Sequence, residues 1–275
     1  MSALVSGLLT SVVGELRHEP TAVRVRAALA GATAVDSVQA VLVWEPGQVV
    51  PAYAVPEADI RAGLSPAPPR GGDGRAAHTP GGEPVLVIGE GRNGSGLRLD
   101  DPDLTGYVLL DFTSFDAWYE EDEPISAHPH DPFHRIDVRA SSRHVRLELD
   151  GHLLAESSHA MMLFETLLPT RYYLPREDVV VPLEPSDTHT ACAYKGRAAY
   201  FSARVGDRLV RDLAWTLPEP LPEGERVGGL VAFFNEHVDI VLDGRRLEAP
   251  VNPWRPAGMR RADRGTSGDA AQPGG

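Results

Sequence analysis

The stretch Val25–Glu45, VRAALAGATAVDSVQAVLVWE, aligns without a gap on Val145–Glu165, VRLELDGHLLAESSHAMMLFE. Val, Arg, Leu, Gly, Ser, Ala and Glu recur in place, Asp36 falls opposite Glu156, and Trp44 opposite Phe164. An internal repeat sets the architecture before any local signal does, because each copy must build the same unit. The match extends outward. After one residue of slippage, Tyr53-Ala54-Val55-Pro56 meets Tyr172-Tyr173-Leu174-Pro175, and Asp59 meets Asp178. Gly106-Tyr107-Val108 through Phe115-Asp116 matches Gly229-Leu230-Val231 through Val238-Asp239, and Asp131-Pro132-Phe133 answers Asn252-Pro253-Trp254. Two copies follow, 20–134 and 135–254, with an N-terminal helix over 1–19 and a disordered tail over 255–275.

Each copy reads as β. Residues Val145 to Ser157 alternate apolar and polar around Asp150-Gly151, and an Asp-Gly pair between alternating runs marks a hairpin because both turn positions tolerate positive φ. Asp243-Gly244 and Gly206-Asp207 repeat the device. The expected fold class is mainly β: two tandem copies of a small barrel-like or packed-sheet domain, the pattern being compatible with either.

Composition narrows the function. The 275 residues are 42% hydrophobic and 24% charged, the balance of folded globular domains. A formal charge of -13 with scattered arginines argues against nucleic acid, which needs clustered cations to displace counterions. No run reaches the ~20 apolar residues of a membrane span. The first apolar stretch, Ala3–Leu16, has no preceding Lys or Arg, so it is read as an amphipathic helix burying Leu4, Leu8, Leu9, Val12, Val13 and Leu16 rather than as a signal peptide. Cys192 is the only cysteine, so no internal disulfide is possible and a reducing, cytoplasmic setting is expected. Lys195 is the only lysine.

The copies diverge in the middle. The first carries Ser65–Glu83, SPAPPRGGDGRAAHTPGGE, read as a mobile Pro/Gly loop, where the second keeps strand-like sequence. The second copy is therefore the expected seat of chemistry, and the first a degenerate partner. Arg171-Tyr172-Tyr173-Leu174-Pro175-Arg176-Glu177-Asp178, Cys192-Ala193-Tyr194-Lys195-Gly196, Ala214-Trp215 and Ala232-Phe233-Phe234-Asn235-Glu236 occur in an order that resembles the bacterial domain of unknown function 427 family, in a tandem two-copy form. The resemblance implies compact, mainly β domains. It also brings a nucleotidyltransferase label, which no motif here supports. The chain departs from the family at Ala193, usually Pro, at Phe201, often Trp, and at Phe234, often Tyr; the last removes a hydroxyl.

Candidate site residues cluster in this second copy. Strand alternation puts Thr188, Thr190, Cys192 and Tyr194 on one face and His189 on the other, so a thiol nucleophile at Cys192 would need a histidine from elsewhere, such as His159 or His237. Lys195 before Gly196 ends a strand and is placed to reach an anion or a carbonyl. Tyr172, Tyr173, Tyr194, Tyr200 and Trp215 suit an aromatic-lined pocket with polar tips. Asn235-Glu236 follows an apolar strand, and Glu236 is a candidate to orient Lys195 or act as a base. His128, His130, Asp131 and His134 have the composition of a metal site, but their counterparts Pro250, Val251, Asn252 and Arg255 do not ligate, so no metal is expected. Gly89–Gly96 lacks the Lys-Ser/Thr of a phosphate loop and reads as a flexible loop, and Glu120–Glu123 as a solvated turn.

The favoured expectation is a small polar or anionic ligand held in the second copy by Tyr172, Tyr173, Tyr194, Lys195, Tyr200, Trp215 and Asn235. The alternatives are an enzyme of unspecified reaction using Cys192, Lys195 or Glu236, and a structural or interaction protein. Cofactor and oligomeric state are left open by the residues.

Overall fold

The computed structural model describes residues 2–68 and 82–250. Asn252-Pro253-Trp254, the expected tail at 255–275 and most of the expected Pro/Gly loop lie outside the described residues. The chain divides into two compact units, Met1–Asp131 and Pro132–Gly275.

Unit 1 contains α1 (Val5–Ser11), β1 (Arg17–Pro20), β2 (Val25–Leu29), β3 (Ala32–Ser37), β4 (Val41–Trp44), β5 (Ala52–Pro56) and β6 (Gly63–Pro66). It continues with β7 (Glu83–Ile88), β8 (Asn93–Arg98), β9 (Tyr107–Leu110), β10 (Ala117–Glu120) and β11 (Glu123–Ile125). Unit 2 contains β12 (Ile136–Ala140), β13 (Val145–Leu149), β14 (His152–Ser157), β15 (Met161–Glu165), β16 (Arg171–Leu174) and β17 (Leu183–Cys192). Then follow β18 (Gly196–Val205), β19 (Arg208–Pro220), β20 (Val231–Phe233), β21 (Asp239–Leu242) and β22 (Arg245–Arg246).

Each unit is a large sheet and a small one. The seven-stranded sheets run β1-β4-β5-β9-β8-β7-β6 and β12-β15-β16-β20-β19-β18-β17, the same order element for element. The four-stranded sheets, β11-β10-β2-β3 and β14-β13-β21-β22, correspond when one is read in reverse. Packed sheets, not a closed barrel, are therefore the architecture. In unit 2 the small sheet contributes Val145, Leu147, Leu154 and Ile240 to a core shared with Tyr172, Leu174, Leu213 and Phe233 of the large sheet. Unit 1 repeats this with Val25, Leu29, Leu42, Val55, Leu110 and Trp118.

The hairpin signals act as expected. Asp150-Gly151 and Asp243-Gly244 take positive φ at both turn positions, as does Ala30-Gly31 in unit 1, while at Gly206-Asp207, which also joins paired strands, only Gly206 does. The N-terminal helix differs from expectation. It spans only Val5–Ser11 and buries nothing, with Leu4, Leu8 and Leu9 exposed. The chain then enters the sheet at Arg17, where backbone pairing with Trp44 replaces helical hydrogen bonds. No helix among the described residues is long and apolar enough to cross a membrane.

Two loop expectations are corrected. Asn93–Gly96 belongs to β8, paired with β7 and β9. Its glycines serve close packing: a Cβ on Gly96 would stand 2.8 Å from the Leu109 carbonyl oxygen, and one on Gly94 3.0 Å from the Phe115 ring. In the Glu120–Glu123 turn Asp122 is solvated, but Glu120 is not. Its carboxylate takes hydrogen bonds from the Tyr53 hydroxyl at 2.5 Å and the His130 backbone N–H at 3.0 Å, and lies 2.7 Å from His130 Nδ1.

Candidate functional site

Strand alternation splits the two adjacent tyrosines of β16. Tyr172 turns into the core between the sheets, while Tyr173 joins Trp215, Leu217, Val138 and Leu163 on the face turned away from the small sheet. On that face Tyr173 and Trp215 both pair with Ala232 of the intervening strand. The small alanine leaves the two rings free to meet above it, edge to face at 6.0 Å, with Trp215 Nε1 donating to the Tyr173 hydroxyl at 3.1 Å. Phe234 packs 4.5 Å from Trp215 and 5.9 Å from Tyr200, whose hydroxyl lies 3.1 Å from Thr190 Oγ1.

Lys195 sits in the turn joining β17 to β18, where Cys192 pairs with Gly196. Gly196 takes φ +93°, and a Cβ there would stand 2.8 Å from the Glu219 carbonyl oxygen. From the other side, the 3-10 helix Pro222–Val227 closes on the turn: Leu221 N–H donates to the Lys195 carbonyl at 3.1 Å, and a Cβ on Gly224 would stand 2.9 Å from that same oxygen. Two glycines thus fix the lysine backbone by permitting contacts no side chain would allow.

The ammonium so placed meets Glu165, the last residue of β15, with Nζ 2.5 Å from Oε2. The carboxylate is 2% exposed and the lysine side chain 13%. The other oxygen, Oε1, lies 3.0 Å from His134 Nε2, and the imidazole stacks on Tyr194 with ring centroids 4.7 Å apart. Burial pushes the Glu165 carboxyl up, but the Lys195 charge and the hydrogen bonds from His134 and Lys195 outweigh it and hold the group at about 2. Burial likewise pushes Lys195 down, yet the Glu165 carboxylate leads the influences that leave it raised. A lysine paired in this way presents its ammonium as a hydrogen-bond donor.

A second pair lies beside the first. The Arg171 guanidinium grips Glu236 through two bonds of 2.7 and 2.9 Å and sits 5.6 Å from the Trp215 ring centroid. Tyr173 lies in the field of Lys195, Glu165 and Arg171. Its hydroxyl is raised, foremost by burial, against the lowering effect of Lys195 and the Trp215 bond.

The structure thus gathers Tyr173, Lys195, Tyr200 and Trp215 on one face and separates Tyr172 from them. Tyr194 is buried and reaches the group through His134. Asn235 Nδ2 donates to the Thr170 carbonyl at 2.6 Å, which ties the end of β20 to the start of β16. Glu236 engages Arg171, and the role of orienting Lys195 falls to Glu165. Cys192 is 5% exposed and packs against Ala193, Tyr194 and Ile136, while His189 and His159 are exposed. His130 bonds Glu120 in unit 1 and His134 bonds Glu165 in unit 2; among the described residues no three His, Cys, Asp or Glu side chains gather as a metal site.

Glu165, His134 and Arg171 are the residues that sequence reasoning does not assign to the site. Glu165 left a signal, since it recurs as Glu45 at the end of an apolar strand, a costly place for a carboxylate without a partner. In unit 1 the pairing register puts Ala54 and Leu97 against Leu109, where unit 2 has Tyr173 and Trp215 against Ala232. The hydroxyl and the indole are absent there, and the face is filled by Val43, Leu97, Leu104 and Leu109.

These observations define unit 2 as a two-sheet β domain carrying a lysine–glutamate–histidine network, built on a buried carboxylate, beside an aromatic cluster. Residues 137–244, within that unit, match the model of a family described as a domain of unknown function (DUF427). No curated protein matches the chain.

Proposed function

We propose that unit 2 binds a small polar molecule through an acceptor oxygen, with Lys195 and Tyr173 as donors and Trp215, Tyr200 and Phe234 as the apolar surface beside it. The observation that carries this is a buried hydroxyl, that of Tyr173, held by one bond beside an ammonium with donor capacity to spare. An indole N–H only donates, so the Tyr173 hydroxyl accepts from Trp215, and its own hydrogen has no acceptor among the described residues. The neighbouring ammonium, on a side chain 13% exposed, has three hydrogens and, among the described residues, one hydrogen-bond partner, Glu165. A buried donor without an acceptor costs about 1–3 kcal/mol, and an arriving ligand oxygen recovers that.

Unit 1, on this proposal, is a diverged second copy of the same domain whose binding face has been filled with aliphatic side chains. The acidic balance of the chain supports a small molecule over a nucleic acid as the partner. The test is thermal unfolding across a panel of small polar metabolites. At least one should stabilise the wild-type protein, and the Lys195→Met/Glu165→Gln pair, which removes the ammonium without stranding its carboxylate, should abolish that effect. A panel in which nothing stabilises the wild type removes the proposal.

A further inference from the structure

The two partly buried cations of the site are already paired. Lys195 is matched by Glu165, 2% exposed, and Arg171 by Glu236, 5% exposed. A phosphate or carboxylate entering between these pairs would add a third negative charge beside two desolvated carboxylates whose own cations are already committed, and the remaining cation on this face among the described residues, Arg226, is exposed and turned to the Val138 carbonyl. An uncharged oxygen meets no such opposition, and the donors that remain, the Tyr173 hydroxyl and the spare ammonium hydrogens, suit a carbonyl. The rings of Trp215 and Phe234, tilted against each other with Arg171 over both, supply apolar surface beside them. Building on the binding proposal above, we infer that the ligand is an uncharged carbonyl compound, of which amides and lactams are the strongest acceptors, received by Tyr173 and Lys195, and not an anion.

The chain offers a direct probe because Lys195 is its only lysine. Full-length protein labelled with [ε-13C]lysine gives one lysine signal. That signal is titrated separately with 2-pyridone, with benzoate, which has similar size and a full negative charge, and with inorganic phosphate. The expected result is a saturable shift with 2-pyridone and none with the two anions. Tyr173→Phe, first checked for an unchanged fold by circular dichroism, should weaken the 2-pyridone response roughly fivefold or more through loss of one hydrogen bond to a buried acceptor. A saturable response to benzoate or phosphate but not to 2-pyridone overturns the inference and leaves the binding proposal standing. So does a panel metabolite that stabilises the protein while 2-pyridone leaves the lysine signal unmoved. A Tyr173→Phe protein that responds like the wild type overturns the role given to the hydroxyl.

Discussion

At the scale of single residues, the Lys195–Glu165 pair sets a carboxylate that is almost fully buried against a single ammonium. Removing only the lysine leaves a carboxylate that is 2% exposed without its cation. Lys195→Met should therefore lower stability by about 3–5 kcal/mol. Adding Glu165→Gln should restore most of it, a coupling that urea unfolding of the two single variants and the double variant would measure. The pH dependence has a definite sign. Glu165 titrates near 4.5 when free and at about 2 in the fold, so its contribution is complete above about pH 4.5 and is lost as pH falls toward 2. The size is roughly 3 kcal/mol. Urea midpoints between pH 2 and 7 should accordingly separate wild type from Glu165→Gln at neutral pH and converge in acid; parallel curves would contradict this. Lys195 works at the other end of the scale: its raised value means its contribution is present below its ordinary range and fades only as pH climbs through the folded value.

At the scale of elements, the β17–β18 turn delivers Lys195 only because its neighbours can come very close. Gly196 combines positive φ with a 2.8 Å approach to the Glu219 carbonyl, whereas Gly244 has the same sign of φ and nothing within 4 Å of a Cβ. Alanine at Gly244 should cost about 1 kcal/mol, from backbone conformation alone. Alanine at Gly196 should cost clearly more, since the β19 backbone must also move, and should displace the Lys195 signal in the [ε-13C]lysine spectrum. Equal unfolding midpoints for the two variants would argue that the close approach is not what holds the turn. Tyr172 and Tyr173 are expected in one pocket from the sequence, but adjacent residues of a strand face opposite ways, and the structure separates them. Their aromatic type was legible and the face each takes was not. That depended on the register of Tyr173 against Ala232 and hence on a strand far along the chain.

At the scale of the whole molecule, a chain with one lysine, buried in an ion pair, offers amine reagents almost nothing beyond its α-amine. Acylation with a succinimidyl ester near pH 8 should add one group to the folded protein and a second only after unfolding in urea, as read from intact mass. A second group added to the folded chain without urea would show Lys195 open to solvent. The doubled strand order of the two units was present in the sequence as the Val25–Glu45 and Val145–Glu165 match, and so were the hairpins, because turn chemistry and period-two alternation act over a few residues. The candidate site was legible in part: Lys195, Tyr173, Tyr200 and Trp215 stood out by type and spacing. Glu165, His134 and Arg171 did not, since each earns its role from a partner on another strand or loop, and a carboxylate at a strand end looks the same in sequence whether it meets water or an ammonium. Local chemistry determined the elements and their repetition; long-range register alone decided which side chains face one another, because strand partners are chosen by the folded sheet and not by chain neighbours.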